Sequence, residues 1–147
     1  MVYGSMLGTG LWKVPIEGGS PVRLYDRPCG GPAISPDGKL IAFFFWSWDD
    51  PSKAGTAIVP FEGGPPINRL GAIDATWGVD SRTLTYFTSE NGASKLWELP
   101  VEGGPPRLIS RFDAGEILSI EWSSDRKQLL LVRGTETSDA VLFSSLN

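Results

Sequence analysis

The chain repeats one pattern three times, most fully in Leu96-Trp97-Glu98-Leu99-Pro100-Val101-Glu102-Gly103-Gly104-Pro105-Pro106-Arg107-Leu108. The other two copies are Leu11-Trp12-Lys13-Val14-Pro15-Ile16-Glu17-Gly18-Gly19 and Ala57-Ile58-Val59-Pro60-Phe61-Glu62-Gly63-Gly64-Pro65-Pro66. The Gly-Gly pairs begin at residues 18, 63 and 103, so the spacings are 45 and 40 residues. A fixed period of this length indicates a repeat architecture in which each copy is one supersecondary unit.

A second marker runs in step with the first. Its clearest copy is the turn Ser35-Pro36-Asp37-Gly38-Lys39, which precedes an apolar run. The equivalent aspartates are Asp80 and Asp125, so these spacings are 43 and 45 residues. Aspartate favours tight turns because its carboxylate can bond the backbone two residues further on, and Gly38 tolerates a positive φ. Two unrelated markers with nearly the same period are a stronger signal than either marker alone.

Each period divides into four short strands, a to d. Strand a precedes the Asp turn at 32–35, 75–78 and 117–123, and strand b follows it at 40–46, 83–89 and 128–133. Strand c ends at Pro15, Pro60 and Pro100, and strand d follows the Gly-Gly pair at 21–25, 66–70 and 106–110. Prolines mark strand d as an outer edge, because proline cannot donate to a strand ladder. Four antiparallel strands per period predict an all-β fold of β-propeller blades.

The Ser-Pro-Asp-Gly-Lys turn, the Leu-Trp-x-Val/Leu-Pro strand and the Glu-Gly-Gly-x-Pro turn together resemble the WD40-like repeats of TolB-type β-propellers. Related blades occur in the propeller domains of the dipeptidyl peptidase and prolyl oligopeptidase families. The resemblance spans residues 2–146. It implies a ring of about six or more blades, of which this chain supplies about half.

The repeat predicts incomplete blades at both ends of a single domain. Residues 1–27 hold strands b, c and d, residues 28–71 and 72–111 form complete blades, and residues 112–147 hold strands a, b and c. The last strand c is expected at 140–146. A half-ring leaves apolar sheet faces without neighbours, and monomers rarely expose large apolar patches. We therefore expect the chain to form a homo-oligomer or to be part of a longer propeller chain.

Composition excludes several classes of function. The net charge is −4 with scattered basic residues, which argues against nucleic acid as a partner. Histidine is absent and Cys29 is the single cysteine, so the chain cannot supply a Ser-His-Asp site, a Cys-His site or an internal disulfide. No apolar run approaches the roughly 20 residues of a membrane span. Residues 1–15 lack the pattern of a signal peptide. No cofactor and no membrane insertion are predicted, and the compartment stays open; the resemblance also allows an extracytoplasmic one.

Positions that do not repeat carry the candidate binding residues. The run 43–50 is the most unusual stretch, and we expect its three phenylalanines to pack between blades. Trp48 beside Asp49 and Asp50 is expected to form a rim patch for a peptide or a sugar. Aromatic anchors beside polar neighbours are typical of binding surfaces. Oxygen ligands for Ca²⁺ are present there without a full ligand spacing, so no metal site is predicted. The predicted binding residues are Trp46, Trp48, Asp49, Asp50, Glu90 and Glu121.

Repeated positions are expected to be structural. The predicted turn residues are Asp37, Gly38, Asp80, Asp125, Gly18, Gly19, Gly63, Gly64, Gly103 and Gly104. The recurring glutamates should solvate their turns; they are Glu17, Glu62 and Glu102. The outer-strand arginines should cover apolar surface with their stems; they are Arg23, Arg69 and Arg107. Cys29 is expected in a connection between blades, without a catalytic role.

The sequence predicts a non-catalytic module that binds a protein or peptide through the loops between its strands. The family resemblance implies the binding role, because the loops of propellers commonly carry binding sites. One alternative is the propeller part of a peptidase or hydrolase whose catalytic domain lies on another chain or region. Another is a carboxylate-dependent enzyme in which Glu121 faces the central channel and does acid–base work.

Overall fold

The computed structural model describes residues 1–5, 10–47, 49–71 and 75–135. Within these ranges it contains thirteen β-strands and one three-residue 3-10 helix, Pro51–Lys53. No helix in the described ranges is long and apolar enough to cross a membrane. The predicted all-β class is confirmed.

The strands form four antiparallel sheets that follow one another along the chain. Sheet 1 contains β1 (Val2–Ser5), β2 (Gly10–Lys13) and β3 (Val22–Tyr25). Sheet 2 contains β4 (Cys29–Ile34), β5 (Leu40–Phe45), β6 (Gly55–Pro60) and β7 (Asn68–Leu70). Sheet 3 contains β8 (Ala75–Trp77), β9 (Thr83–Glu90), β10 (Ala93–Pro100) and β11 (Arg107–Phe112). Sheet 4 contains β12 (Glu116–Trp122) and β13 (Leu129–Gly134).

Consecutive strands are spatial neighbours in every sheet, which is the meander of a propeller blade. The strand predicted as d is an edge strand in sheets 1, 2 and 3, as expected from its prolines. Those prolines precede β3, β7 and β11, where a missing N–H leaves the ladder intact. The exact blade bounds stay a prediction, and the strand expected at 140–146 lies outside the described residues.

Sheets 1 and 2 share an apolar cluster because the strand alternation turns one face of each sheet toward the other. Leu11 is 0% exposed and packs with Ile41 and Phe43 across the interface. The Tyr25 ring lies 4.9 Å from the Phe43 ring and tilts by 55°. Burying apolar area of this kind stabilises by about 25 cal/mol per Å², so this interface contributes to the stability of the fold.

Sheets 2 and 3 share a second cluster on the opposite face of sheet 2. Ala42 and Ile58 alternate with the residues of the first cluster and pack against Trp77 and Leu84. Val101, in the turn after β10, is 3% exposed and closes the same cluster. Strand b of sheet 2 is therefore apolar on both faces because neighbouring sheets cover both.

Two details differ from the sequence analysis. Phe44 was expected between blades, but it is 37% exposed and stacks on Trp46 with 6.1 Å between ring centroids. The alternation places it on the face opposite to Phe43. Cys29 was expected in a connection, but it begins β4 and is fully buried in the first cluster, because residues 29 and 30 pair with residues 45 and 44 of β5.

The turns adopt the backbone that their sequences favour. Gly38 has φ of 76°, and Asp37 holds its turn by accepting bonds from the Ser35 hydroxyl and the Lys39 amide. Each Gly-Gly pair has two positive φ angles, for example 98° and 122° at Gly63 and Gly64. Ser81 has φ of 59° at the position of Gly38, so the third-sheet copy forms the same turn without glycine.

Candidate functional site

The antiparallel order gives every sheet two ends, which we call the loop side and the turn side. The turn side holds the Asp turns at 35–39, 78–82 and 123–128 and the Gly-Gly turns at 61–67 and 101–106. These turns meet through backbone bonds, such as 2.8 Å from the Val101 amide to the Arg82 carbonyl. The loop side holds the hairpins around 46–54 and 91–92 and the connections at 26–28 and 113–115. Most predicted binding residues belong to the loop side.

The hairpin after β5 is held by its own polar groups. The Trp46 amide donates to the Pro28 carbonyl at 3.3 Å, which ties this hairpin to the neighbouring connection. Asp50 accepts from the Ser52 hydroxyl at 2.6 Å and pairs with Lys53 at 3.3 Å. These contacts, the Ser52 hydroxyl first, lower the pKa of the Asp50 carboxyl. Asp49 is exposed, and Trp48 lies outside the described residues.

A cleft of about 440 Å³ opens on the loop side of sheet 3. It is lined by hairpin residues and by the end of β11, among them Thr88, Glu90, Asn91, Lys95, Arg111 and Asp113. Lys95 lies directly opposite Thr88 on β9 and Arg111 on β11, so the three form one row across the sheet. The cleft thus brings the predicted Glu90 next to two cations.

Neither Lys95 nor Arg111 forms an ion pair with any acid in the described part of the chain. Two outer-strand arginines have partners: Arg107 binds Glu98 at 2.6 Å, and the Arg69 guanidinium lies 5.6 Å from the Phe45 ring. Two cations side by side repel each other unless an anion lies between them. The lining of the cleft thus holds two cations, Lys95 and Arg111, and two acids, Glu90 and Asp113.

A two-residue hairpin and a pair of serine hydroxyls form the base of the cleft. Asn91 and Gly92 have φ of 53° and 74°, the backbone of a two-residue hairpin that fixes Glu90 opposite Ala93. Below them the Ser89 and Ser94 hydroxyl oxygens are 2.7 Å apart, and Ser94 accepts the Ile117 amide at 2.8 Å. Ser94 is 1% exposed, so this network joins the hairpin to sheet 4.

Glu121 does not join this cleft. It lies near the turn-side end of β12, opposite Leu130 in the register, and its side chain is exposed. Glu90 and Glu121 are thus at opposite ends of their sheets. No group of three or more His, Cys, Asp or Glu side chains that could hold a metal occurs within the described ranges.

A second cleft, of about 490 Å³, lies on the turn side between sheets 2 and 3. Ile67, Arg82 and Glu102 are among its lining residues. The side-chain Nδ2 of Asn68 bridges the same interface by donating to the Val101 carbonyl at 2.8 Å. This cleft follows from the stacking of two repeats, whereas the loop-side cleft consists of residues that do not repeat.

Lys95 and Arg111 were not among the predicted binding residues. Only their positions in the sequence could have indicated them: Lys95 follows a hairpin, and Arg111 ends strand d of the same period. Recognising them requires the register of three strands, and the register shifts between Leu96 and Trp97.

No protein-family model matches the chain. Tricorn protease homolog 1 of Streptomyces coelicolor is 28% identical over 117 residues, which are 73% of this chain and 11% of the relative. The human peroxisomal targeting signal 2 receptor is 28% identical over 88 residues, which are 55% of this chain and 27% of the relative. The chain therefore spans only a small part of either relative.

Two solved structures share the fold. TolB from Acinetobacter baumannii superposes with a TM-score of 0.59 at 17% identity, over 87% of this chain and 34% of TolB. The β-propeller domain of the Trilobed protease from Pyrococcus furiosus, described as having an open velcro topology, gives 0.50 at 21% identity, over 72% of this chain and 36% of that chain. Together with the sheet topology, these likenesses confirm a TolB-like and WD40-like β-propeller fold.

Proposed function

We propose that this propeller module is non-catalytic and binds a protein or peptide partner through the loop side of sheet 3. The observation that carries the proposal is the row of Lys95 and Arg111, two cations without an ion-pair partner in the described residues, in a cleft bordered by Glu90. A ligand carboxylate between the cations would form charge-assisted hydrogen bonds, which are stronger than neutral ones. The neighbouring hydroxyl of Thr88 and amide of Asn91 can bind peptide backbone groups.

The test uses a library of short random peptides in two forms, with free C-terminal carboxylates and with C-terminal amides. The wild-type chain should retain peptides that carry a carboxylate, either terminal or on a side chain. The variant K95A/R111A should bind those peptides at least about tenfold more weakly, the loss expected for charge-assisted bonds at an exposed cleft.

The matched control is K39A/K127A, which removes the same charge from turns on the opposite side. This control should bind the retained peptides as the wild type does. Equal binding by K95A/R111A and the wild type would overturn the proposal. So would equal weakening in both double variants, which would indicate a general charge effect, or the retention of no peptide at all.

The identity with Tricorn protease homolog 1 favours a second candidate, a propeller associated with a peptidase. In that case the cleft would bind peptide for a catalytic domain elsewhere. Mass spectrometry of the native complex separates the two, because a hydrolase domain in the same polypeptide or complex would favour the second candidate. Neither candidate needs a catalytic group in this chain.

A further inference from the structure

The interface between sheets 1 and 2 and the interface between sheets 2 and 3 share one contact. In both, the residue after the proline that ends strand c packs against the preceding sheet. Phe61 follows Pro60 and packs on the cluster between sheets 1 and 2. The Lys13 ammonium of sheet 1 lies 4.7 Å from the Phe61 ring and donates to the Phe61 carbonyl at 2.9 Å. Val101 follows Pro100 and is buried between sheets 2 and 3. The position after this proline is therefore a contact to the sheet before it.

Ile16 occupies the same position in sheet 1, after Pro15, and is 87% exposed. Tyr3 is 40% exposed and lies opposite Trp12 in the register, on the face of sheet 1 that points away from sheet 2. We call Tyr3, Trp12 and Ile16 the first end face. Ile16 is the counterpart of Phe61 and Val101 in this face. Among the described residues, no sheet lies in front of the face.

Sheet 4 presents the complementary face at the other end. Five residues after the turn aspartate, Ala42 of sheet 2 and Thr85 of sheet 3 are 4% and 1% exposed. Leu130 holds that position in sheet 4 and is 57% exposed, and Val132 on the same face is 55% exposed. Leu118 of β12 is 59% exposed and lies beside Gly134 on this face. We call Leu118, Leu130 and Val132 the last end face.

We propose that a second copy of this chain covers these faces head to tail, with Ile16 of one copy on Leu130 and Val132 of the other. Repeat proteins use one type of interface between all neighbouring repeats, so each end offers the half that the other end lacks. The contact is heterologous because the first end face of one copy meets the last end face of another. Every copy carries both faces. The proposal does not depend on the loop-side cleft.

The test compares the mass of the full chain in solution by light scattering, over a range of concentrations, with the mass of two variants. The wild type should reach at least twice the 15.9 kDa of one chain as concentration rises. I16D and L130D should each stay at the mass of one chain, because each places a carboxylate in every head-to-tail contact. I67D is the control: Ile67 is 52% exposed away from both end faces, and its variant should associate like the wild type.

Mixing the two variants is the decisive arm. I16D retains an intact last end face and L130D retains an intact first end face, so an equimolar mixture should regain the mass of two chains. An interface between two like faces would instead leave one of the two variants associated when alone. Association of one variant alone would overturn the proposal. So would a mixture that stays at the mass of one chain, or a wild type that is monomeric. A monomeric wild type would mean that another occupant, such as further blades, covers the faces.

Discussion

The indole Nε1 of Trp77 donates a 2.8 Å hydrogen bond to the carbonyl oxygen of Ala33, across the interface between sheets 2 and 3. Trp77 is 1% exposed, and the bond itself is partly buried. From sheet 4, the Arg126 guanidinium donates to the Trp77 carbonyl at 3.1 Å. One residue thus links three consecutive sheets.

The substitution Trp77→Phe should destabilise the chain by about 2–4 kcal/mol, because it leaves a cavity and deprives the Ala33 carbonyl of its donor. Urea unfolding followed by circular dichroism measures the change. Trp97→Phe is the matched control: its Nε1 also donates, to the Thr88 hydroxyl at 3.0 Å, but at an exposed site. The control should cost less than about 1 kcal/mol. Equal losses would contradict the role of Trp77.

The turn aspartates should make stability depend on pH. In the fold the Ser35 hydroxyl, the Arg82 amide and the Ser123 hydroxyl are the main groups that lower the pKa of Asp37, Asp80 and Asp125, respectively. The unfolded carboxyls titrate near their usual pKa of about 3.9. A lowered folded pKa contributes stability that is fully present above that value and is lost as pH falls through the folded pKa.

Thermal unfolding from pH 6 to pH 2.5 tests this with D37N/D80N/D125N. The wild type should be more stable at pH 6, and the gap between the two proteins should shrink as the pH falls. Asparagine keeps the acceptor oxygen and removes the titration, so it isolates the charge. A gap that stays constant or widens toward acid would show that the turn carboxylates do not contribute through ionisation.

Gly55 at the start of β6 should not tolerate a side chain. A Cβ there would lie 2.4 Å from the Leu70 carbonyl oxygen and 3.2 Å from the Phe45 ring. Gly55→Ala should therefore cost about 1–3 kcal/mol, as overpacking does. Gly71→Ala is the control, because a Cβ at Gly71 meets nothing within 4 Å. Chemical denaturation should show a clear loss in the first variant and little change in the second.

The sequence predicted the repeat, the strand order and the turns because these are set by local chemistry. Proline at the start of strand d and aspartate in the turn act through their own backbone, so their effect is readable without tertiary structure. The residues that pack between sheets could be assigned from the sequence wherever side chains alternate regularly along a strand, because this alternation is also a local property of the backbone. Phe44 was misplaced because its ring stacks on Trp46 of its own hairpin and not on a neighbouring sheet.

The proposed binding cleft was only partly predictable. Glu90 was found because it stands on a hairpin loop, whereas Lys95 and Arg111 are 16 residues apart in the sequence and meet only through the register of β10 and β11. Glu121 was proposed for the channel from its strand alone. The structure places it near the turn-side end of β12, where its side chain is exposed.

Amide chemical-shift mapping by NMR tests most directly whether the loop side is the binding side. The probe is the tightest carboxylate-bearing peptide retained by the wild-type chain, titrated into isotope-labelled protein. The account predicts that the largest shifts occur at residues 88–95 and 111–113, and that K95A/R111A removes them. Largest shifts at residues 81–83 and 100–102, which border the turn-side cleft, would contradict it.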